Sequence, residues 1–108
     1  MKKLLVALLA SVSMMAHAVF FSGNDLLSEI QSDSSVKRMV ALGFVMGVHD
    51  AMEGEYICSG SNVTAGQLRD VVQQGLQNNP KDRNLSASLL VMVYLGEAFP
   101  CSKKGRSS

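Results

Sequence analysis

The 108-residue sequence is poor in the side chains that build metal and nucleophilic sites, with two cysteines and two histidines. A zinc site needs three or four protein ligands, yet His49 is the only histidine beyond the first 18 residues and no C-x-x-C pair occurs. A C-x-x-C-H haem motif and a glycine-rich phosphate loop are also missing. We therefore expect no metal and no other cofactor.

The first 18 residues, MKKLLVALLASVSMMAHA, are strongly patterned. Lys2 and Lys3 precede an apolar stretch over 4–15, and a small-x-small triplet follows at 16–18. This pattern is typical of a cleaved secretory signal peptide, and the apolar stretch is shorter than the roughly 20 residues of a membrane-spanning helix. We predict a signal peptide over 1–18, a domain over 19–101, periplasmic localisation and no membrane association after cleavage.

The charge balance limits the class of partner. Residues 19–101 carry five basic and nine acidic side chains, a formal charge of −4. Such a body is a poor ligand for the phosphates of nucleic acid, so we expect no nucleic-acid partner. The basic tail over 102–108, SKKGRSS, is predicted to be flexible and solvated, as chain ends usually are.

Cys58 and Cys101 are an even pair in a chain predicted to be exported, which favours a disulfide. The chain-entropy model assigns a ring of this size about 4 kcal/mol, which matters for a domain of about 90 residues. A nucleophilic cysteine with His49 as its base is the alternative. The oxidising compartment and the second cysteine favour the disulfide.

The chain after the signal peptide shows four helical segments separated by turn signals. In the first, FSGNDLLSEIQS, Asn24 is the expected N-cap. In the second, Ser34 or Ser35 is the expected cap, and Gly43 and Gly47 share a face that would permit a close helix approach. Each glycine lowers helix propensity by up to about 1 kcal/mol, so a packing role is expected.

The third and fourth segments have the clearest boundaries. Thr64 and Gln67 fit a capping box, and Asn79 before Pro80 ends the third helix. The fourth, LSASLLVMVYLGEAF, is apolar nearly all round, which is typical of a central helix. The predicted fold is all-α: a small single-domain bundle of four to five helices held by one disulfide.

Three acids, Asp50, Glu53 and Glu55, are the only charged residues between Met39 and Leu68. Paired carboxylates can act as general acid and base, as in glycosidases. A solvated helix end explains the same residues, and an acidic patch that attracts a basic partner is the third interpretation.

Two stretches, LGFVMGVHDA over 42–51 and ICSGSNVTAGQLRDVVQQGLQNNPKDRNLSASLLVMVYLGEAFPC over 57–101, resemble the Rap/Tai family of immunity proteins. The resemblance implies a helical periplasmic protein, often a homodimer, that lacks catalysis and blocks the active-site groove of a type VI secretion amidase effector that cleaves peptidoglycan. Cys58 and Cys101 match two family cysteines. A further pair found in relatives falls at Ile30 and Ala41, and the proline that relatives carry after the first matched cysteine is replaced by Ser59-Gly60-Ser61.

The leading hypothesis is therefore an inhibitor that presents a polar loop to an enzyme groove. The candidate contact residues are Glu53, Glu55, Ser59, Gly60, Ser61 and Asn62. The loop NNPKDRN over 78–84 is the competing surface. A periplasmic acid-stress chaperone, which exposes apolar surface when protonated, is the alternative function. An enzyme ranks third, because no catalytic constellation is complete.

Overall fold

The computed structural model describes residues 20–102 as one bundle of four helices, and this part of the chain contains no extended strand. The helices are α1 (Gly23–Ile30), α2 (Ser35–Met52), α3 (Ala65–Asn78) and α4 (Ala87–Ala98), with a 3-10 turn at Pro80–Asp82. The prediction of a small all-α bundle is confirmed. The predicted signal peptide and nearly all of the basic tail lie outside the described residues. Within 20–102, no helix combines the length and apolarity that crossing a membrane requires.

Side-chain caps set three of the four helix starts. Thr64 and Gln67 form the predicted capping box at α3, and Ser34 accepts from the Lys37 amide at α2. The prediction of Asn24 as the first N-cap is wrong. Ser22 caps α1 instead, because its hydroxyl accepts from the Asp25 amide while the Asp25 carboxylate accepts from the Ser22 amide.

The α4 helix contacts each of the other three helices, but so does every helix of the bundle. One side of α4, with Leu89 and Val93, is exposed, so its predicted central position does not distinguish it from its neighbours. Its buried residues are Ala87, Leu90, Val91, Tyr94 and Leu95. The facing core residues come mainly from α1 (Leu26, Leu27, Ile30), α2 (Ala41, Val45) and α3 (Leu68, Val72, Leu76). Burial of apolar surface at about 25 cal/mol per Å² is therefore the main stabilising term of the bundle.

The predicted disulfide is confirmed. Cys58 and Cys101 are bonded, with their Cα atoms 4.9 Å apart. Beside this bond the Cys58 amide donates to the Phe99 carbonyl at 2.9 Å, so the segment after α2 is joined to the end of α4 twice. Ile30 and Ala41, which replace the further cysteine pair of relatives, are both buried in the apolar core.

The two longer connections lie at opposite ends of α3. One joins α2 to α3, and the other, residues 79–86, joins α3 to α4. The second is bound to the start of α1, because the Gly23 and Asn24 amides donate to the Leu85 and Arg83 carbonyls at 2.9 and 2.8 Å. Helix α3 has 14 residues and so separates the two connections by about 20 Å.

The close helix approach is made by Gly75, and the prediction that Gly43 and Gly47 serve it within the chain is wrong. A Cβ atom on Gly75 would lie 2.6 Å from the Tyr94 ring, whereas one on Gly43 or Gly47 would meet nothing within 4 Å. Helix α2 turns Ala41 and Val45 to the core instead. The glycine face of α2 is therefore open.

Alanine at these glycines should shift stability in opposite directions. Gly75→Ala should lower the free energy of unfolding by about 1–3 kcal/mol, since the buried Tyr94 ring has to move. Gly43→Ala should raise it by up to about 1 kcal/mol through helix propensity alone. Urea unfolding of both variants measures the difference, and equal effects would contradict the packing described for α3 and α4.

Candidate functional site

The α2–α3 loop, residues 53–63, begins with a tight turn around Gly54. Gly54 has φ of +92°, a conformation that glycine adopts without strain. Its amide donates to the Ile57 carbonyl at 2.7 Å, and the Ile57 amide donates to the Met52 carbonyl at 3.1 Å. Because the Ile57 side chain is fully buried, this turn is anchored in the core.

The second half of the loop runs from Cys58 to the N-cap of α3. It is held at one end by the Cys58–Cys101 bond and at the other by the Thr64 capping box. Between them Gly60 has φ of +75°. The α2–α3 loop is thus fixed at its start, at its middle and at its end.

All six candidate contact residues lie on the α2–α3 loop. Ser59 is half-buried and the others are exposed: Glu53, Glu55, Gly60, Ser61 and Asn62. Sequence reasoning missed Tyr56, which is 62% exposed and lies directly beside Glu55. Its signal was an aromatic side chain in an otherwise acidic, glycine-containing stretch. Tyrosine is enriched at protein interfaces because it combines a large apolar ring with a polar end.

Four polar side chains form a cluster where α2 meets the loop. His49 Nδ1 lies 3.0 Å from Asp50 Oδ1, while His49 Nε2 lies 2.9 Å from Glu53 Oε1 and 2.7 Å from Ser59 Oγ. The Ser59 hydroxyl and amide both donate to Glu53 Oε1, at 2.7 and 3.2 Å. Two of the three acids singled out in the sequence therefore surround one histidine.

The Glu53 carboxylate is the acceptor at the centre of this cluster. Hydrogen bonding from the Ser59 hydroxyl lowers the pKa of Glu53, against the opposing effect of partial burial, and the Ser59 amide and His49 lower it further. The charged form of Glu53 is thus the form that holds Ser59. This contact makes Glu53 more than a solvated helix end.

The order Asp50–His49–Ser59 has the connectivity of a Ser-His-Asp triad, but the cluster departs from it at Glu53. A triad histidine must accept the serine proton at Nε2, whereas here Nε2 faces a carboxylate oxygen that can only accept. The Ser59 amide, a possible oxyanion donor, is directed to the same carboxylate. The geometry favours positioning of the loop over nucleophilic chemistry.

An apolar groove of about 580 Å³ lies between α2 and α4. Gly43, Phe44 and Gly47 line its α2 side, and Leu89 and Met92 line its α4 side. Val36, Met39 and Val40, further along α2, are 57–72% exposed. The open face of α2 is therefore apolar over much of its length.

The described part of the chain has no set of side chains arranged to bind a metal ion. Residues 20–102 contain no group of three or more histidine, cysteine or carboxylate side chains that could hold a metal ion. The polar cluster at His49 is therefore best described as a hydrogen-bonded assembly.

The comparison with protein families identifies a match over nearly all of the described chain. The family model for Rap1a immunity proteins matches residues 22–101, a range that contains all four helices, both cysteines and the whole α2–α3 loop. Among curated proteins, no match to the chain is found.

Replacing Glu53 should change how stability depends on pH. Because the pKa of Glu53 is lowered from 4.5 on folding, its carboxylate stabilises the fold above that value, and this contribution is lost as pH falls through the folded pKa. The wild-type protein should therefore have a higher free energy of unfolding than Glu53→Gln, and this difference should be larger at about pH 6 than at about pH 2.5.

Urea unfolding at several pH values measures this difference. Glu55→Gln is the matched control, since it removes a loop carboxylate that makes no hydrogen bond to Ser59 among residues 20–102. A wild-type advantage over Glu53→Gln that stays constant with pH would contradict the role given to the carboxylate.

Proposed function

The chain belongs to the family of Rap1a immunity proteins, and we propose that it protects by binding a peptidoglycan amidase effector of type VI secretion in the periplasm. In this proposal the α2–α3 loop enters the active-site groove of the amidase and excludes its substrate. The protein acts by occupancy, without catalysis of its own. A cleaved signal peptide over 1–18 brings it to the compartment where the amidase acts.

The observation that carries the proposal is the fixed shape of the α2–α3 loop. Ile57 is buried, Cys58 is bonded to Cys101, Ser59 is bound by Glu53 and Thr64 caps the next helix. A loop that is ordered before binding loses less conformational entropy on binding. Inhibitory loops that occupy enzyme grooves benefit from this order, because a flexible segment would bind more weakly.

The exposed surface of the loop supports the same partner chemistry. Tyr56 offers a large ring for a pocket, and Glu53 and Glu55 lie just before it in the sequence. The surrounding domain carries a formal charge of −4 over residues 19–101. We infer that the partner groove has a basic rim, since complementary charge speeds association and selects partners.

The test is stoichiometric inhibition. The mature protein is co-purified with candidate cell-wall amidases encoded beside its gene, and peptidoglycan cleavage is followed as the protein is added. Tyr56→Ala should weaken inhibition at least about tenfold, since central aromatic contacts commonly contribute 2 kcal/mol or more.

Leu85→Ala is the control for the inhibition test. Leu85 is also exposed, at 42%, but it lies on the connection at the other end of α3, so its loss should leave inhibition unchanged. If no amidase binds, while the protein prevents aggregation of unrelated proteins at low pH, the acid-stress chaperone replaces the proposed function. If Leu85→Ala weakens inhibition more than Tyr56→Ala, the competing loop is the inhibitory one.

We propose further that the protein forms a homodimer through the open face of α2. Gly43 and Gly47 have no atom of the described chain against them, so a second helix can approach closely. The stretch VALGFVMGV over 40–48 contains no charged residue, and two copies of this acidic protein can therefore meet here without placing like charges together. A two-fold axis near Gly43 would place Val40 of one copy against Phe44 of the other.

Leucine at Gly43 should separate dimer formation from folding. Gly43→Leu fits the isolated chain, because nothing lies within 4 Å of the new Cβ position, but it would block close crossing of two α2 helices. Light scattering should show a dimer for wild type and a monomer for Gly43→Leu. Gln77→Leu adds the same side chain to an exposed position on α3 and should stay dimeric; a dimeric Gly43→Leu would place the interface elsewhere.

A further inference from the structure

His49 is the link between α2 and the second half of the α2–α3 loop. Its side chain is only 13% exposed, whereas Asp50 beside it is 70% exposed. The contacts at Nε2, to Glu53 and Ser59, are therefore the sheltered ones, and hydrogen bonds to charged groups are stronger where water is excluded. The Asp50 contact is largely solvated and contributes less.

The partners of the ring define its protonation. Nδ1 faces a carboxylate of Asp50, and Nε2 faces a carboxylate of Glu53 and the hydroxyl oxygen of Ser59. Because the Ser59 hydroxyl hydrogen is directed to Glu53, the serine oxygen is left to accept. Both partners at Nε2 thus accept, so Nε2 carries a hydrogen.

Within residues 20–102, the ring has no other ionisable neighbour at salt-bridge distance that could replace these contacts. From α2 it faces Asp50, and from the loop it faces Glu53 and Ser59. No charged side chain of α3 or α4 in this part of the chain lies within salt-bridge distance of it. The polar contacts of His49 therefore join α2 to the loop alone.

Ser59 is the residue whose position this cluster determines. Beyond the anchored Cys58, the chain runs through Gly60, Ser61 and Asn62 before the Thr64 cap, and all three are exposed. Among these residues, Ser59 makes the only side-chain hydrogen bonds with His49 and Glu53 in the described structure. The direction in which the chain leaves Cys58 thus depends on the Ser59 contacts with Glu53 and His49.

We propose that His49 is a positioning residue whose Nε2 atom, together with the Glu53 carboxylate, locks Ser59 and holds residues 59–62 in the shape that the effector binds. The identity of the partner rests on the proposed function, whereas the lock itself does not. Loss of the ring removes the Nε2 contact with Ser59 and leaves Glu53 alone to hold it. Binding is therefore strongest where both contacts with Ser59 are present.

The lock is tested by NMR on the mature protein without any partner. Long-range proton–nitrogen spectra of the His49 ring should show a hydrogen on Nε2 when Ser59 is protected from amide exchange. The Ser59 protection factor should fall about tenfold in His49→Ala and in Glu53→Gln, in line with loss of one charge-assisted hydrogen bond. Protection of the buried Leu68 and Val72 amides should not change, which separates the lock from general destabilisation.

Matched variants make the NMR test specific. Asp50→Asn and Glu55→Gln each remove one carboxylate but keep the Glu53–Ser59 contact, so Ser59 protection should stay within about twofold of wild type. A ring without a hydrogen on Nε2 in the protected state, or equal protection in His49→Ala and wild type, would overturn the lock.

The effect of the lock on binding is measured with an amidase that was captured in the inhibition test. His49→Ala should raise the protein concentration needed for half inhibition about tenfold, because residues 59–62 are then less ordered before binding. Unchanged potency in His49→Ala would overturn the role of the lock in binding. Failure of wild type to inhibit any amidase would overturn the proposed function instead, and the NMR results would then decide the lock by themselves.

Discussion

The covalent tie between Cys58 and Cys101 is the constraint on which the α2–α3 loop depends. A domain of about 90 residues buries too little surface for its connections to be held by packing alone. The tie places the loop against the end of α4, where the Cys58 amide also donates to the Phe99 carbonyl. Ile57, next to Cys58 in the sequence, is fully buried, so the loop is anchored here by both a covalent bond and the core.

Local signals in the sequence were sufficient for most of the fold. The Thr64 capping box and the end of α3 before Pro80 each depend on residues within one helical turn. The disulfide followed from the cysteine count and the expected compartment. The first N-cap was misplaced because Ser22 and Asn24 are both good caps, and only the position of Asp25 distinguishes them.

The sequence pattern could not predict contacts between residues that are distant in the chain. Periodicity shows that Gly43 and Gly47 share a face of α2, but it does not show whether that face meets another helix. The cluster at His49 also depends on where the loop returns, ten residues after the histidine. The sequence shows that Asp50 and Glu53 belong to an unusual acidic group. It does not show that both lie beside His49, because that requires the position of Ser59 on the folded loop.

The Cys58–Cys101 bond also sets an order of events in maturation. Cys58 precedes its partner by 43 residues, so during synthesis the loop exists for some time without its anchor. It acquires its final shape only after α3 and α4 have followed and the two thiols have been oxidised. A reducing compartment would prevent this last step, so the final shape of the loop depends on the redox state of its surroundings.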